Sequence, residues 1–88
     1  MSNKNKKYFI LSAEEGDIGM LAVCDTYREA CEQLEVEVYK YLHQILKRKI
    51  YHEQDLSVII EQEGIMPTAE IIIPNSLGVW FCVHPFEV

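Results

Sequence analysis

The sequence predicts an α+β fold: a small single-domain, two-layer sandwich of order ββ-α-(α)-ββ, with one long helix packed across an antiparallel sheet of about four strands. Pairs of β-rich segments lie at both ends of the chain, and a long stretch with helical periodicity lies between them. A chain of 88 residues, 49% hydrophobic and 25% charged, has room for one domain. We expect that domain over residues 8–88, preceded by a basic, flexible tail over residues 1–7.

The first pair of segments predicts a β-hairpin. KYFILSA, residues 7–13, and MLAVCD, residues 20–25, are rich in apolar residues of the kind found in β-strands. EEGDIG between them carries two glycines, as a tight turn requires.

The central stretch predicts a helix from about Thr26 to Lys49. Either Asp25 or Thr26 can accept a bond from an unpaired N–H of the first turn, and Glu29 follows Thr26 at the spacing of a capping box. The acids of this stretch lie in its first half and its bases in its second, which complements the helix dipole.

Residues 55–67, DLSVIIEQEGIMP, allow two assignments. The β-branched run of residues 58–60 favours a strand. Asp55 as a cap, Gly64 as a left-handed stop and Pro67 beyond it favour a short helix, which we predict over residues 55–63.

The C-terminal pair predicts a second hairpin. TAEIII and GVWFCVH are separated by PNSL, and Asn75 and Gly78 suit its tight backbone. In the last strand neither set of alternating residues is polar, so both faces of the sheet are apolar there.

The helix is apolar on two sides. At 100° per residue its core stripe consists of Tyr27, Ala30, Cys31, Leu34, Val38, Tyr41 and Ile45. A second, narrower stripe on the opposite side consists of Val36, Tyr39, His43, Leu46 and Ile50. One interpretation is that segment 55–63 covers the second face of the sheet, or this stripe itself, and that Tyr39 and Leu46 are scattered exposed apolar residues. The other is that the stripe is a protein-binding surface, since tyrosine and large aliphatic residues surrounded by charge are typical of interfaces.

The net charge of −6 is spread over most of the chain: after Lys49 there are six acids and no lysine or arginine. Such a surface does not suit phosphate binding, so we expect no direct nucleic-acid contact and instead a protein partner with a basic surface. Glu14, Glu15 and Asp17 lack the ligand spacing of a calcium loop, and we assign this acidic turn to the partner-binding surface as well.

The sequence contains no constellation typical of catalysis. Cys82 and His84 would share a strand face, but no third group is placed beside them by sequence, and no metal-binding spacing or phosphate-binding loop occurs. We therefore predict no catalytic residue, no metal and no cofactor. Three cysteines without paired spacing, no export signal and no membrane-spanning segment point to a reducing cytoplasm.

We expect a non-catalytic acidic protein-interaction module. In size, charge and compactness the chain is similar to the acidic proteins that phages and mobile elements encode against bacterial defence, such as anti-CRISPR proteins. That likeness covers no motif and transfers no residue. It implies an inhibitor of a bacterial defence protein or nucleic-acid-binding protein. The alternatives are a homodimer formed through the second helical stripe and a small enzyme built on Cys82 and His84.

Overall fold

The computed structural model describes residues 6–49, 51–62 and 66–87. Within them, one helix packs on a five-stranded antiparallel sheet of order β2-β1-β5-β4-β3, which confirms the predicted α+β two-layer sandwich. The elements in chain order are β1 (Lys6–Glu14), β2 (Asp17–Cys24), α1 (Tyr27–Lys47), β3 (Ser57–Glu61), β4 (Thr68–Ile72) and β5 (Val79–Glu87). The sheet therefore has one strand more than predicted.

The prediction of a short helix over residues 55–63 is wrong. Glu53–Asp55 form a single 3-10 turn, and the next residues form β3, which pairs with β4 at the edge of the sheet. Val58 and Ile60 pack against the core while Ser57, Ile59 and Glu61 are exposed, so the β-branched run follows the two-residue period of an edge strand. Gly64, the predicted helix stop, lies outside the described residues. No described segment remains to cover the second face of the sheet.

The first hairpin is confirmed, with a tighter turn than predicted. Glu14 pairs with Asp17, and the two residues between them, Glu15 and Gly16, both have positive φ, 50° and 88°. This is the conformation of a two-residue turn that matches the twist of the flanking strands. Of the predicted N-terminal tail, residues 1–5 lie outside the described residues, and Lys6 and Lys7 belong to β1.

A β-bulge in β2 changes which of its side chains face the helix. Ile10 pairs with Ala22 but Leu11 pairs with Met20, so Leu21 is the extra residue on β2. Leu21 and Ala22 both pack against the core. The bulge thereby moves Met20 to the face of the sheet opposite α1.

The helix lies across the other face of the sheet. The Thr26 hydroxyl accepts a hydrogen bond from the Glu29 amide at 3.1 Å, which confirms the predicted cap. At its start, Tyr27 meets Tyr8 edge to face at 6.0 Å between ring centroids. Further along, Tyr41 meets Phe81 at 5.8 Å.

The core forms between α1 and this inner face of the sheet. Its buried hydrophobic residues are Ile10, Cys24, Ala30, Leu34, Val38, Ile45, Ala69, Ile71, Ile73, Val79, Phe81 and Val83. The helical members all belong to the predicted core stripe. In the described part of the chain, no helix has the length and apolarity to cross a membrane.

Candidate interaction surfaces

The face of the sheet opposite α1, which we call the outer face, is largely apolar and has no described element over it. Because side chains alternate along a strand, the residues between the core-facing ones of each strand form this face. They are Lys7, Phe9, Leu11, Ala13, Ile18, Met20, Val23, Ser57, Ile59, Glu61, Thr68, Glu70, Ile72, Trp80, Cys82, His84 and Phe86. Ile18, Met20 and Trp80 are 76%, 62% and 53% exposed.

The strand register aligns the outer-face side chains in rows across the sheet. One row runs Met20, Leu11, Cys82, and the next runs Ile18, Ala13, Trp80. Ala13 is the smallest member of its row, between two large neighbours. A depression of about 300 Å³ lies here, lined in part by Leu11, Ala13, Ile18, Trp80 and Cys82. Such a depression can receive a large side chain from a partner.

Acidic residues of the outer face lie to one side of its apolar centre. Glu61 is on β3 and Glu70 is on β4. The outer-face residues of β2, β1 and β5 named above include no carboxylate. At one end of this region Phe9 and Phe86 stack at 5.2 Å between ring centroids, and an ion pair joins Lys7 to Asp25. The centre of the outer face is therefore apolar and uncharged.

The second stripe of the helix forms a smaller exposed surface, which we call the helix ridge: Val36, Tyr39 and His43. Val36 is 55% and Tyr39 is 44% exposed, so segment 55–63 does not cover them. These residues line a shallow groove together with Glu32, Glu35 and Lys40. Of the other predicted members, Leu46 is half-buried and Ile50 lies outside the described residues. The helix ridge remains a predicted binding surface.

The predicted acidic turn lies apart from the helix ridge. Glu14 accepts a hydrogen bond from the Tyr41 hydroxyl, on the core side of α1, while Glu15 and Asp17 are exposed. Burial, together with the hydrogen bond to Glu14, raises the pKa of Tyr41 to about 12. Glu14 therefore has a structural role at the end of β1, and the structure does not bring the two parts of the predicted site together.

Cys82 and His84 share the outer face, as predicted from their spacing. Cys82 is half-buried, and burial raises the pKa of its thiol, so the thiol is protonated near neutral pH. His84 is exposed. The described residues contain no group of three or more His, Cys, Asp or Glu side chains placed to hold a metal ion. Cys82 and His84 therefore add contact area at and beside the depression.

Comparison with known proteins finds no matching family model, no matching curated protein and no matching solved structure. The outer face is not among the binding surfaces predicted from the sequence, although one pattern indicated it: the last strand lacks a polar side.

Proposed function

We propose that this protein is a non-catalytic protein-interaction module and that the outer face is its main binding surface. The observation that carries the proposal is the apolar face of the sheet, over which no described element lies. An antiparallel sheet with one face in water normally has polar residues on that face. Here the face instead presents Trp80, Phe86 and large aliphatic side chains, and exposed apolar patches of this extent mark interaction sites.

The state of the thiols supports a role without catalysis. A nucleophilic cysteine needs a lowered pKa, usually from a positive neighbour. Burial raises the pKa of Cys82 instead. The pKa of Cys24 is also raised, first by burial and then by the carboxylates of Glu29, Asp25 and Glu37. A small enzyme built on Cys82 and His84 is accordingly the weaker hypothesis.

The charge of the chain supports a narrower form of the proposal, in which a further partner has a basic surface. Glu32 and Glu35 border the helix ridge, and the net charge is −6. An acidic surface speeds encounter with a basic protein such as a nucleic-acid-handling protein. An inhibitor of a bacterial defence protein would use this attraction to bind the basic surface of its target. If so, the association rate with that partner should fall steeply as salt rises, and a rate independent of salt would remove this narrower form.

The test of the general proposal is affinity capture with three tagged baits: the native protein, Trp80→Lys and Tyr39→Lys. The mixture is a bacterial lysate supplemented with a differently tagged copy of the same chain. We expect at least one protein, which can be the added copy, to be retained in stoichiometric amount by the native bait and by Tyr39→Lys but lost by Trp80→Lys. Each introduced lysine adds the same charge to an exposed aromatic position, so the comparison isolates the outer face.

Retention by all three baits, or by none of them, would contradict the proposal. Circular dichroism of each bait establishes that it is folded. If Trp80→Lys is unfolded, Ile18→Lys replaces it, because Ile18 lies on the edge strand β2 and is more exposed.

A further inference from the structure

We propose that the outer face binds a second copy of this chain, forming a four-layer dimer in which the two sheets face each other and the two helices lie on the outside. This inference rests on the proposed function, because it takes the outer face to be a binding surface. It differs from the homodimer predicted through the second helical stripe, because the helix ridges here point away from the interface. They remain accessible to other proteins.

The apolar area of the outer face approaches what a stable dimer needs. Five large hydrophobic side chains on the β2 and β5 part of this face are exposed: Ile18, Met20, Val23, Trp80 and Phe86. A large aromatic side chain has about 150–250 Å² to bury and an aliphatic one somewhat less, and these five are on average a little over half exposed. Together they present on the order of 500 Å², the larger part of the ~800 Å² that each partner contributes to a standard interface. A second copy would cover this area with an equal one.

The distribution of charge favours a second copy over a basic partner at this face. A basic surface seeks carboxylates, but the outer-face residues of β2, β1 and β5 include none. A second copy brings the same uncharged centre. The outer-face glutamates, Glu61 and Glu70, lie on β3 and β4, to one side of that centre.

A two-fold axis running along β1 satisfies these constraints. It places β2 of one copy over β5 of the other, because β2 and β5 are the two neighbours of β1 in the sheet. Glu61 and Glu70 then project beyond the overlap into solvent. The same surface of both copies meets, as an isologous dimer requires.

This axis also places large side chains of one copy over the depression of the other. The row Ile18, Ala13, Trp80 of one copy meets the same row of the other in reverse order, so Ile18 approaches Trp80. The large side chains on both sides of Ala13 can then enter the depression of the opposite copy. Sheets that face each other with interdigitating side chains pack about 10 Å apart.

Sedimentation equilibrium of the purified full chain, from about 1 μM to about 500 μM, tests the inference. We expect the mass of a dimer at the upper end of this range. Ile18→Lys should raise the dissociation constant about 100-fold or more, because the lysine must be desolvated without a partner charge. Trp80→Lys, which lies beside Glu70 in the register, should raise it about 10-fold or more through loss of the aromatic contact. Tyr39→Lys, the control on the helix ridge, should change it less than about threefold.

The lysine substitutions exclude general charge repulsion as an explanation. Each makes an acidic chain less negative, which by itself would favour association of two copies. Added salt should likewise leave dimerisation unchanged or strengthen it, whereas it should weaken binding to a basic partner. Weaker dimerisation in Ile18→Lys therefore reports on the outer face.

A native chain that remains monomeric at about 500 μM would overturn the inference. So would a dimer that Tyr39→Lys disrupts and the outer-face variants do not. If the chain is monomeric while affinity capture still finds another protein bound through the outer face, this inference fails and the proposed function stands. If Trp80→Lys and Ile18→Lys change neither the affinity capture nor the dimerisation, both the proposed function and this inference fail.

Discussion

Replacing Gly78 by alanine should destabilise the fold far more than the same change at Gly16. Both glycines have a left-handed backbone, with φ of +76° at Gly78 and +88° at Gly16. They differ in what an added methyl group would meet. At Gly78 a Cβ atom would lie 2.5 Å from the carbonyl oxygen of Ile71, whereas at Gly16 no atom lies within 4 Å. The pair therefore separates a steric clash from backbone strain.

Backbone strain is common to both variants. A left-handed conformation costs a residue with a Cβ about 1–2 kcal/mol. Alanine also restricts the unfolded chain, which returns about 0.4–1 kcal/mol. The expected loss for Gly16→Ala is therefore about 0.5–1 kcal/mol.

The clash adds to this loss at Gly78. Ile71 pairs with Val79 in the register of β4 and β5, and both side chains are fully buried. The carbonyl of Ile71 can move away only if this pair shifts, and overpacking of that kind costs about 1–3 kcal/mol. Gly78→Ala should lose about 2–4 kcal/mol in all, a large part of the roughly 5–13 kcal/mol expected for a domain of this size.

Urea denaturation followed by circular dichroism measures both losses, with the slope against denaturant checked for constancy. Losses for the two variants that agree to within about 0.5 kcal/mol would refute the role of the Ile71 carbonyl.

Tyr41, Thr26 and Cys82 each allow a further test by a single substitution. The pKa of Tyr41 is about 12 in the fold against an ordinary value of 10. The native protein should therefore lose about 1 kcal/mol as pH rises from 10 to 12, allowing for partial exposure of the ring. Tyr41→Phe should lack that loss in denaturation curves, and an identical pH dependence would contradict it. Thr26→Ala should cost about 1 kcal/mol in the same assay and Thr26→Ser only a few tenths; equal costs would exclude the cap. Cys82→Ser, a small change at the edge of the depression, should leave the cellular effect of the protein intact wherever the variant folds, and loss of that effect in a folded variant that still captures the retained protein would restore the enzyme hypothesis.

The sequence determined the features that depend on near neighbours in the chain. The cap at Thr26 needs only an acceptor side chain before the first turn of a helix, and Asn75 and Gly78 have the positive φ expected of the second hairpin turn. The helix ridge also followed from local periodicity, because every residue of a helix has a direction set by its position. Val36 and Tyr39 are accordingly exposed on the side predicted.

Residues 57–61 were assigned wrongly because their structure depends on a partner that is distant in sequence. The apolar run is too short for its period to separate a strand from a helix, and the signals at Asp55 and Gly64 favoured the helix. In the fold, hydrogen bonds to β4 are available at the sheet edge, and Val58 and Ile60 complete the core there. Tertiary pairing decided between two local conformations of similar propensity.

The outer face shows most clearly what only the tertiary structure decided. Side chains alternate along a strand with a period of two, so one extra residue reverses the faces beyond it. Strict alternation from Cys24 would place Met20 and Ile18 in the core, but the bulge at Leu21 places them on the outer face. The stretch MLAVC is apolar at both sets of alternate positions, so its hydrophobic pattern fits either register. Pairing with β1 selects between them, and with it the face of the sheet on which Met20 and Ile18 lie.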